Sequence, residues 1–220
     1  MAKVPRAGTT KTRLCPPLTP EQAADLYGAL LEDTLDFVAG LPGIQPAIAV
    51  TPPEDAAYFR NRALDGMRLY PVEAGDVGEA LDRSLTTALA EGHPKALAIH
   101  SDGPTFSPKV IAEAIEALEA RDVVIGPCDD GGYYLIGLKR ACEPLFRGIE
   151  WSTSRVTGQT LERAAGLGLG TYLLPGAMDV DTAEDLARLT AKLRDGSLDG
   201  LRRTRALLDG NLHDPSPLRS

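Results

Sequence analysis

Short apolar runs constrain this chain more than any other feature. Ala47–Val50, Ala96–Ile99 and Val123–Ile125 are continuous in Ala, Val, Ile and Leu, and Met67–Val72 is a further strand-like run. A strand with no polar residue at alternate places buries both faces, as in a parallel sheet with helices on each side. Helical stretches lie between these runs. Thr19-Pro20-Glu21-Gln22 opens one: Thr19 caps, Pro20 suits the first turn and Gln22 completes a capping box. Ala23, Tyr27, Leu30, Thr34 and Phe37 then recur at helical spacing, and Gly40 to Gly43 ends it. Residues 54–64 are a candidate helix. Another, of about fifteen residues, follows Gly75-Asp-Val-Gly78 and stops near Gly92. Ser107-Pro108 opens the next, with Val110, Ile111, Ala114, Ile115 and Leu118 on its apolar side. The alternation predicts an α/β chain: a three-layer, Rossmann-like, mostly parallel sheet. The 220 residues suit one domain over 1–200, with 201–220 a helix end and a frayed tail around Asp214–Pro217.

Charge excludes some partners. The net charge is −8, which argues against a nucleic-acid-binding surface, since affinity for the phosphate backbone needs a basic face. No apolar stretch reads as a secretory leader or a bilayer span. Cys15, Cys128 and Cys142 are odd in number and scattered, so they read as free thiols of a reducing compartment. The expectation is a cytoplasmic protein without membrane or nucleic-acid partners. Its assembly is left open, a homodimer included.

In so acidic a chain the first fourteen residues stand out. Met1-Ala-Lys-Val-Pro-Arg-Ala-Gly-Thr-Thr-Lys-Thr-Arg-Leu14 combines Gly8 and small hydroxyl residues such as Thr9, which leave backbone N–H groups open, with the cations Lys3, Lys11 and Arg13. Cations and open amides in one loop suit a phosphate chain. The stretch is neither a Walker A loop nor G-x-G-x-x-G. The competing reading is a solvated basic arm.

In open parallel sheets ligands bind beyond the carboxyl ends of strands. Asp102 follows Ala96–Ile99, Asp129-Asp130-Gly131-Gly132 follows Val123–Ile125, and Asp179-Val-Asp181 follows Tyr172–Leu174. Carboxylates at strand ends beside a cationic phosphate loop point to Mg²⁺ or Mn²⁺ held between carboxylates and substrate phosphates. Each Asp also has a plainer reading, as turn former or helix cap. Asp185, three residues after Thr182, is read as a cap.

Several motifs carry a family resemblance. They are Ala2-Lys-Val-Pro5 with Gly8-Thr-Thr-Lys-Thr-Arg-Leu14, Ser101-Asp-Gly-Pro104, Gly126-Pro-Cys-Asp-Asp-Gly-Gly-Tyr-Tyr-Leu-Ile-Gly-Leu138, Trp151-Ser-Thr153 and Asp179-Val-Asp-Thr182. In order and spacing the chain resembles the bacterial arsenosugar-biosynthesis-type, or radical-SAM/selenodomain-associated, glycosyltransferases of the glycosyltransferase-A superfamily. Its Lys-Thr-Arg-Leu loop is also similar to that of the 2-phospholactate guanylyltransferases, which share the nucleotide-diphospho-sugar transferase fold.

The resemblance implies roles residue by residue. Lys3, Gly8, Thr9, Lys11 and Arg13 would hold nucleotide phosphates, and Gly131 and Gly132 would let backbone approach the nucleotide or sugar. Lys11, Asp102 and Asp130 would act in catalysis. Asp102, with Asp179 or Asp181, would bind the metal, and Tyr133, Trp151, Ser152 and Thr153 would line the acceptor side. There are two departures: His100-Ser-Asp102 stands where relatives carry Asp-x-Asp, and Gly103 stands where a Cys is expected.

Three functions follow as expectations. The first is a glycosyltransferase moving a sugar from a nucleotide sugar to a small-molecule acceptor. The second is a nucleotidyltransferase, guanylyltransferase-like, acting on a nucleoside triphosphate and a phosphorylated acceptor. The third is an inactive nucleotide-binding module. The family label favours the first. The Lys-x-Arg loop, suited to a leaving pyrophosphate, favours the second. Relatives also carry an apolar strand before Ala-Lys-x-Pro, which leads to the expectation of a natural start upstream of Met1.

Overall fold

The computed structural model describes residues 1–211 except 61, 63–65 and 104. The capping signal opens α1 (Pro20–Ala39) as expected. Gln22 N donates to Thr19 Oγ1 at 3.2 Å and Thr19 N donates to Gln22 Oε1 at 2.9 Å. The elements that follow are β1 (Ala47–Val50), α2 (Ala56–Arg60), β2 (Arg68–Pro71), α3 (Val77–Ala90), β3 (Ala96–Ile99) and α4 (Pro108–Ala120). Then come β4 (Val123–Pro127), β5 (Tyr133–Leu138), α5 (Val156–Gly166), β6 (Thr171–Leu173), α6 (Ala183–Arg194) and α7 (Arg202–Asn211). The helix expected over 54–64 is α2 preceded by a 3-10 turn at Pro53–Asp55, and its last part lies outside the described residues.

The chain divides into two units. The first holds 1–3, 43–100 and 105–179, and with them every strand. Here β1 and β2 pair in parallel, and a four-stranded sheet runs β3-β5-β4-β6. β5 is antiparallel to both β3 and β4, and β6 is parallel to β4. Three of its four strands therefore run one way and one is reversed. The reversed strand is the second arm of a hairpin with β4, which the apolar runs did not announce, because an apolar strand looks the same in either direction. The N-terminal ammonium donates to Ile99 O at 2.9 Å, and Ala2 N donates to Ala49 O at 2.8 Å in a parallel bridge to Val50.

Both faces of the central strands β4 and β5 are covered, as the unbroken apolar runs required, while the edge strand β6 leaves Tyr172 and Leu173 exposed. Val123, Ile125, Ile136 and Leu138 pack with Leu81 and Leu85 of α3, Leu145, Phe146 and Ala164 of α5. On the other side Leu118 of α4 comes within 3.2 Å of a Cβ built on Gly137. Each such fully buried aliphatic side chain stabilises by about 1.5–3 kcal/mol. Cys15, Cys128 and Cys142 are free thiols.

The second unit holds 4–42, 101–104 and the chain from 180 onward, so it is helical: α1, α6 and α7. Asp33 of α1 is 1% exposed and accepts from Arg203 N at 3.0 Å, Thr204 N at 2.9 Å and Thr204 Oγ1 at 2.8 Å. A buried carboxylate thus caps the first turn of α7, whose N–H groups have no partner inside the helix. α7 is thus tied to α1 by a buried charge. The tail expected around Asp214–Pro217 lies outside the described residues. Among the described residues no helix is long and apolar enough to cross a membrane.

Candidate active site

The helical unit brings together two of the loop cations, Lys11 and Arg13, and two of the carboxylates, Asp102 and Asp181. Between Arg6 and Thr10 the chain folds on itself. The Arg6 carbonyl accepts from the amides and the hydroxyls of both Thr9 and Thr10, at 2.9–3.2 Å, and Arg6 N donates to Thr10 Oγ1 at 2.9 Å. This corrects the expectation of a row of open amides, because those of Thr9 and Thr10 are already spent inside the turn. Gly8 has φ +77° and Lys11 itself sits in the left-handed region at φ 51°. A 3-10 turn, Thr12–Leu14, follows and is anchored by the fully buried Leu14, whose N–H donates to Lys11 O at 2.9 Å.

The result is a rigid base that aims one side chain. The Lys11 side chain is 5% exposed, and its Nζ lies 2.8 Å from Asp181 Oδ1 and 3.1 Å from Asp102 Oδ1. Arg13, 66% exposed, places Nη1 3.7 Å from the other Asp181 oxygen. Lys3 groups with the other unit. Each partner of Lys11 has its own support. Ser101, beside Asp102, is buried and shares a 2.7 Å hydrogen bond with the Tyr27 hydroxyl of α1. Gly103 has φ +101°, and a Cβ there would meet Leu30 Cδ2 at 2.6 Å. Glycine where relatives are expected to carry Cys is thus required by this chain's own packing.

Asp181 precedes the capping box of α6. Asp185 Oδ2 accepts from Asp181 N at 3.2 Å, Thr182 N at 2.9 Å and Thr182 Oγ1 at 2.7 Å, and Asp185 N donates to Thr182 Oγ1. The reading of Asp185 as a cap holds, and the cap also sets the backbone that presents Asp181. Burial pushes the Asp185 carboxyl up, but the bonds from Thr182 and Asp181 outweigh it and hold the group below the usual carboxylate range. A depressed folded value means that this contribution is complete above the unfolded value of about 3.9 and is lost as pH falls through the lower folded value. Asp185→Asn is therefore expected to lower stability by about 1 kcal/mol at pH 7 and by less at pH 3. Urea midpoints at the two pH values check this, and equal losses at both would contradict it.

The strand-bearing unit holds the remaining candidates. Asp129 and Asp130 are the tip of the β4–β5 hairpin. Gly131 N donates to Cys128 O at 3.1 Å, Cys128 N donates to Gly132 O at 2.9 Å, and Asp130 Oδ1 accepts from Gly132 N at 2.8 Å. Gly131, at φ +88°, is the left-handed residue that such a three-residue hairpin loop needs. A Cβ on Gly131 would lie 2.1 Å from Ser154 O, so the close approach it permits is to the chain itself. Thr157 N and Oγ1 at the start of α5 donate to Gly131 O and Gly132 O at 3.0 and 2.6 Å. Ligand atoms of Cys128, Asp130 and Asp179 lie within 4.8 Å of one another in this unit.

The expected acceptor wall divides. Trp151 packs edge-on to Tyr133, with ring centroids 6.3 Å apart, and lies over Gly78, where a Cβ would approach its ring to 2.7 Å. The Tyr133 hydroxyl is buried, and burial raises its pKa well beyond the usual phenol value. Both rings are partly buried and pack against the core. Ser152, at φ 63°, and Thr153 are exposed. The His100 ring lies edge-on to Tyr134 at 6.4 Å.

The model of a bacterial family described as "Uncharacterized protein conserved in bacteria (DUF2064)" matches residues 34–153, more than half of the chain. The chain belongs to the DUF2064 family. This DUF2064 member is 31% identical to a Desulfovibrio desulfuricans G20 protein assigned to the nucleotide-diphospho-sugar transferases. The match to that crystal structure covers 96% of this chain and 92% of the other at a TM-score of 0.83. The fold is therefore that of the nucleotide-diphospho-sugar transferases. A 4-diphosphocytidyl-2C-methyl-D-erythritol synthase from Anaerococcus prevotii, 15% identical with a TM-score of 0.55, shares the fold over 75% of this chain and 86% of its own. Two relatives are named phosphoenolpyruvate guanylyltransferase. The one from Nocardia farcinica is 32% identical over 117 residues, and the match spans about half of each chain. The one from Mycobacterium marinum is 28% identical over 84% of this chain and 83% of its own.

Proposed function

We propose that this nucleotide-dependent transferase moves a nucleotidyl group, of guanylyl type, from a nucleoside triphosphate to a phosphorylated small-molecule acceptor such as phosphoenolpyruvate. The observation that carries the reading is the convergence of Lys11, Arg13, Asp102 and Asp181 in one unit. Pyrophosphate is a highly charged leaving group, and cations placed where its charge builds lower the barrier. The names of the relatives from Nocardia farcinica and Mycobacterium marinum support the same reading.

The residues present also fit a divalent ion. Asp102 and Asp181 each turn an oxygen toward one point, now held by Lys11 Nζ at 3.1 and 2.8 Å, and hard carboxylate oxygens suit Mg²⁺ or Mn²⁺. When bound, the metal would offset phosphate charge as the bond to pyrophosphate breaks. Lys11 and Arg13 grip the phosphate chain.

Glycosyl transfer from a nucleotide sugar, in the manner of the arsenosugar-type family, is the second reading. The Desulfovibrio desulfuricans protein favours it, through its assignment as a nucleotide-diphospho-sugar transferase. Incubation with triphosphates and phosphorylated acceptors, and separately with nucleotide sugars, decides between them. Pyrophosphate release supports nucleotidyl transfer, free nucleoside diphosphate supports glycosyl transfer, and no turnover of either points to a binding module. Arg13→Ala is expected to weaken triphosphate binding about tenfold without loss of fold, since a charge-assisted hydrogen bond contributes about 1.5–3 kcal/mol. Unchanged affinity by calorimetry would mean that Arg13 takes no part in holding the phosphates.

A further inference from the structure

We infer that Lys11 is the built-in counter-ion of the Asp102–Asp181 pair, and that it competes with the divalent ion for that place until a phosphate chain draws it away. The inference rests on the metal and phosphate reading above and concerns the order in which that site fills. Three observations carry it. First, the ammonium is inside: the Lys11 side chain is 5% exposed and Nζ touches an oxygen of each carboxylate. A buried ammonium is held there because carboxylate partners offset its desolvation. Second, the position is that of a metal ligated by the same two oxygens, so the ammonium and a divalent ion exclude each other by overlap and by like charge. Third, the backbone under Lys11 is held, with its carbonyl tied to Leu14 N at 2.9 Å and Leu14 buried. Only the side chain needs to swing, about its four rotatable bonds.

Two consequences follow. Metal alone binds against the resident lysine and is weak. A phosphate chain that accepts the ammonium frees the carboxylates, so metal and triphosphate bind with positive coupling, each strengthening the other by the same factor. The empty carboxylate pair, with its mutual repulsion, is not exposed at any stage.

The test is Mn²⁺ binding to the full chain without nucleotide, read by electron paramagnetic resonance, for wild type, Lys11→Met, Lys11→Arg and Asp181→Asn. Removing the competitor is expected to tighten Mn²⁺ about tenfold or more in Lys11→Met, within the usual range of coupling between sites. Lys11→Arg, which keeps a cation, stays near wild type, and Asp181→Asn loses binding. Lys11→Met binding no tighter than wild type overturns the inference while leaving the metal reading intact. No Mn²⁺ binding by any form overturns the metal reading and the inference with it. A measurement on the wild type needs no variant to fold. Lys11 acetylation by acetic anhydride, read by mass spectrometry, should rise several-fold when Mg²⁺ is added and fall again with pyrophosphate. Labelling indifferent to Mg²⁺ overturns the inference.

Discussion

Asp102→Asn is expected to cut metal-dependent turnover on the order of a hundredfold or more, while the melting transition moves little. The substitution keeps the shape and an oxygen acceptor for Lys11 but removes the charge that a divalent ion needs. Losing one preorganised charge-stabilising group in an active site typically costs 10²–10³-fold in kcat, about 2.7–4 kcal/mol. The structural cost is smaller because Lys11 keeps Asp181 at 2.8 Å as its ionised partner. Initial rates of pyrophosphate release at saturating Mg²⁺ or Mn²⁺, set beside thermal melts, separate the two effects. A variant that melts early yet turns over within threefold of wild type would make Asp102 a structural partner of Lys11 and place the chemistry elsewhere.

Gly131→Ala carries the largest expected stability loss, about 3 kcal/mol or more. Two costs combine. At φ +88° a non-glycine residue is strained by about 1–3 kcal/mol. The new Cβ would also lie 2.1 Å from Ser154 O, a backbone atom at the entrance to α5 that has no side-chain freedom to retreat. Overpacking of this kind costs a further 1–3 kcal/mol or so. The neighbouring Gly132→Ala is the internal control. Its Cβ would meet only the Asp130 carboxylate, at 3.1 Å, and its φ is not in the left-handed region. Denaturant midpoints should therefore drop far more for Gly131→Ala than for Gly132→Ala. A Gly131→Ala midpoint no lower than that of Gly132→Ala would mean that the hairpin tip tolerates a side chain at Gly131.

The features legible in the chain's residues alone were local and periodic. The capping boxes at Thr19–Gln22 and Thr182–Asp185 are read from four residues each, because a cap is satisfied within one helical turn. The apolar runs marked β1, β3 and β4 as strands, and β4 is buried on both faces, since such a strand leaves no place for polar alternation. The cations of the first fourteen residues and the carboxylates after the strands were also visible, because residue type and spacing are enough to nominate a phosphate or metal site.

Tertiary structure alone decided direction, partnership and use. β5 is reversed, and Asp129 to Gly132 is a hairpin tip, because strand direction depends on pairing and not on periodicity. Lys11 was legible as a candidate phosphate ligand, but its place between Asp102 and Asp181 was not. Those contacts span ninety residues or more of chain, and no local pattern encodes an ion pair at that separation. The amides of Thr9 and Thr10, open in the sequence, are closed on Arg6 O because a short turn satisfies its own donors first. Asp33 gave no signal at all in a run of helix formers, yet it holds α7 to α1. A buried carboxylate takes its meaning from the donors that surround it, and only the folded chain brings Arg203 and Thr204 there.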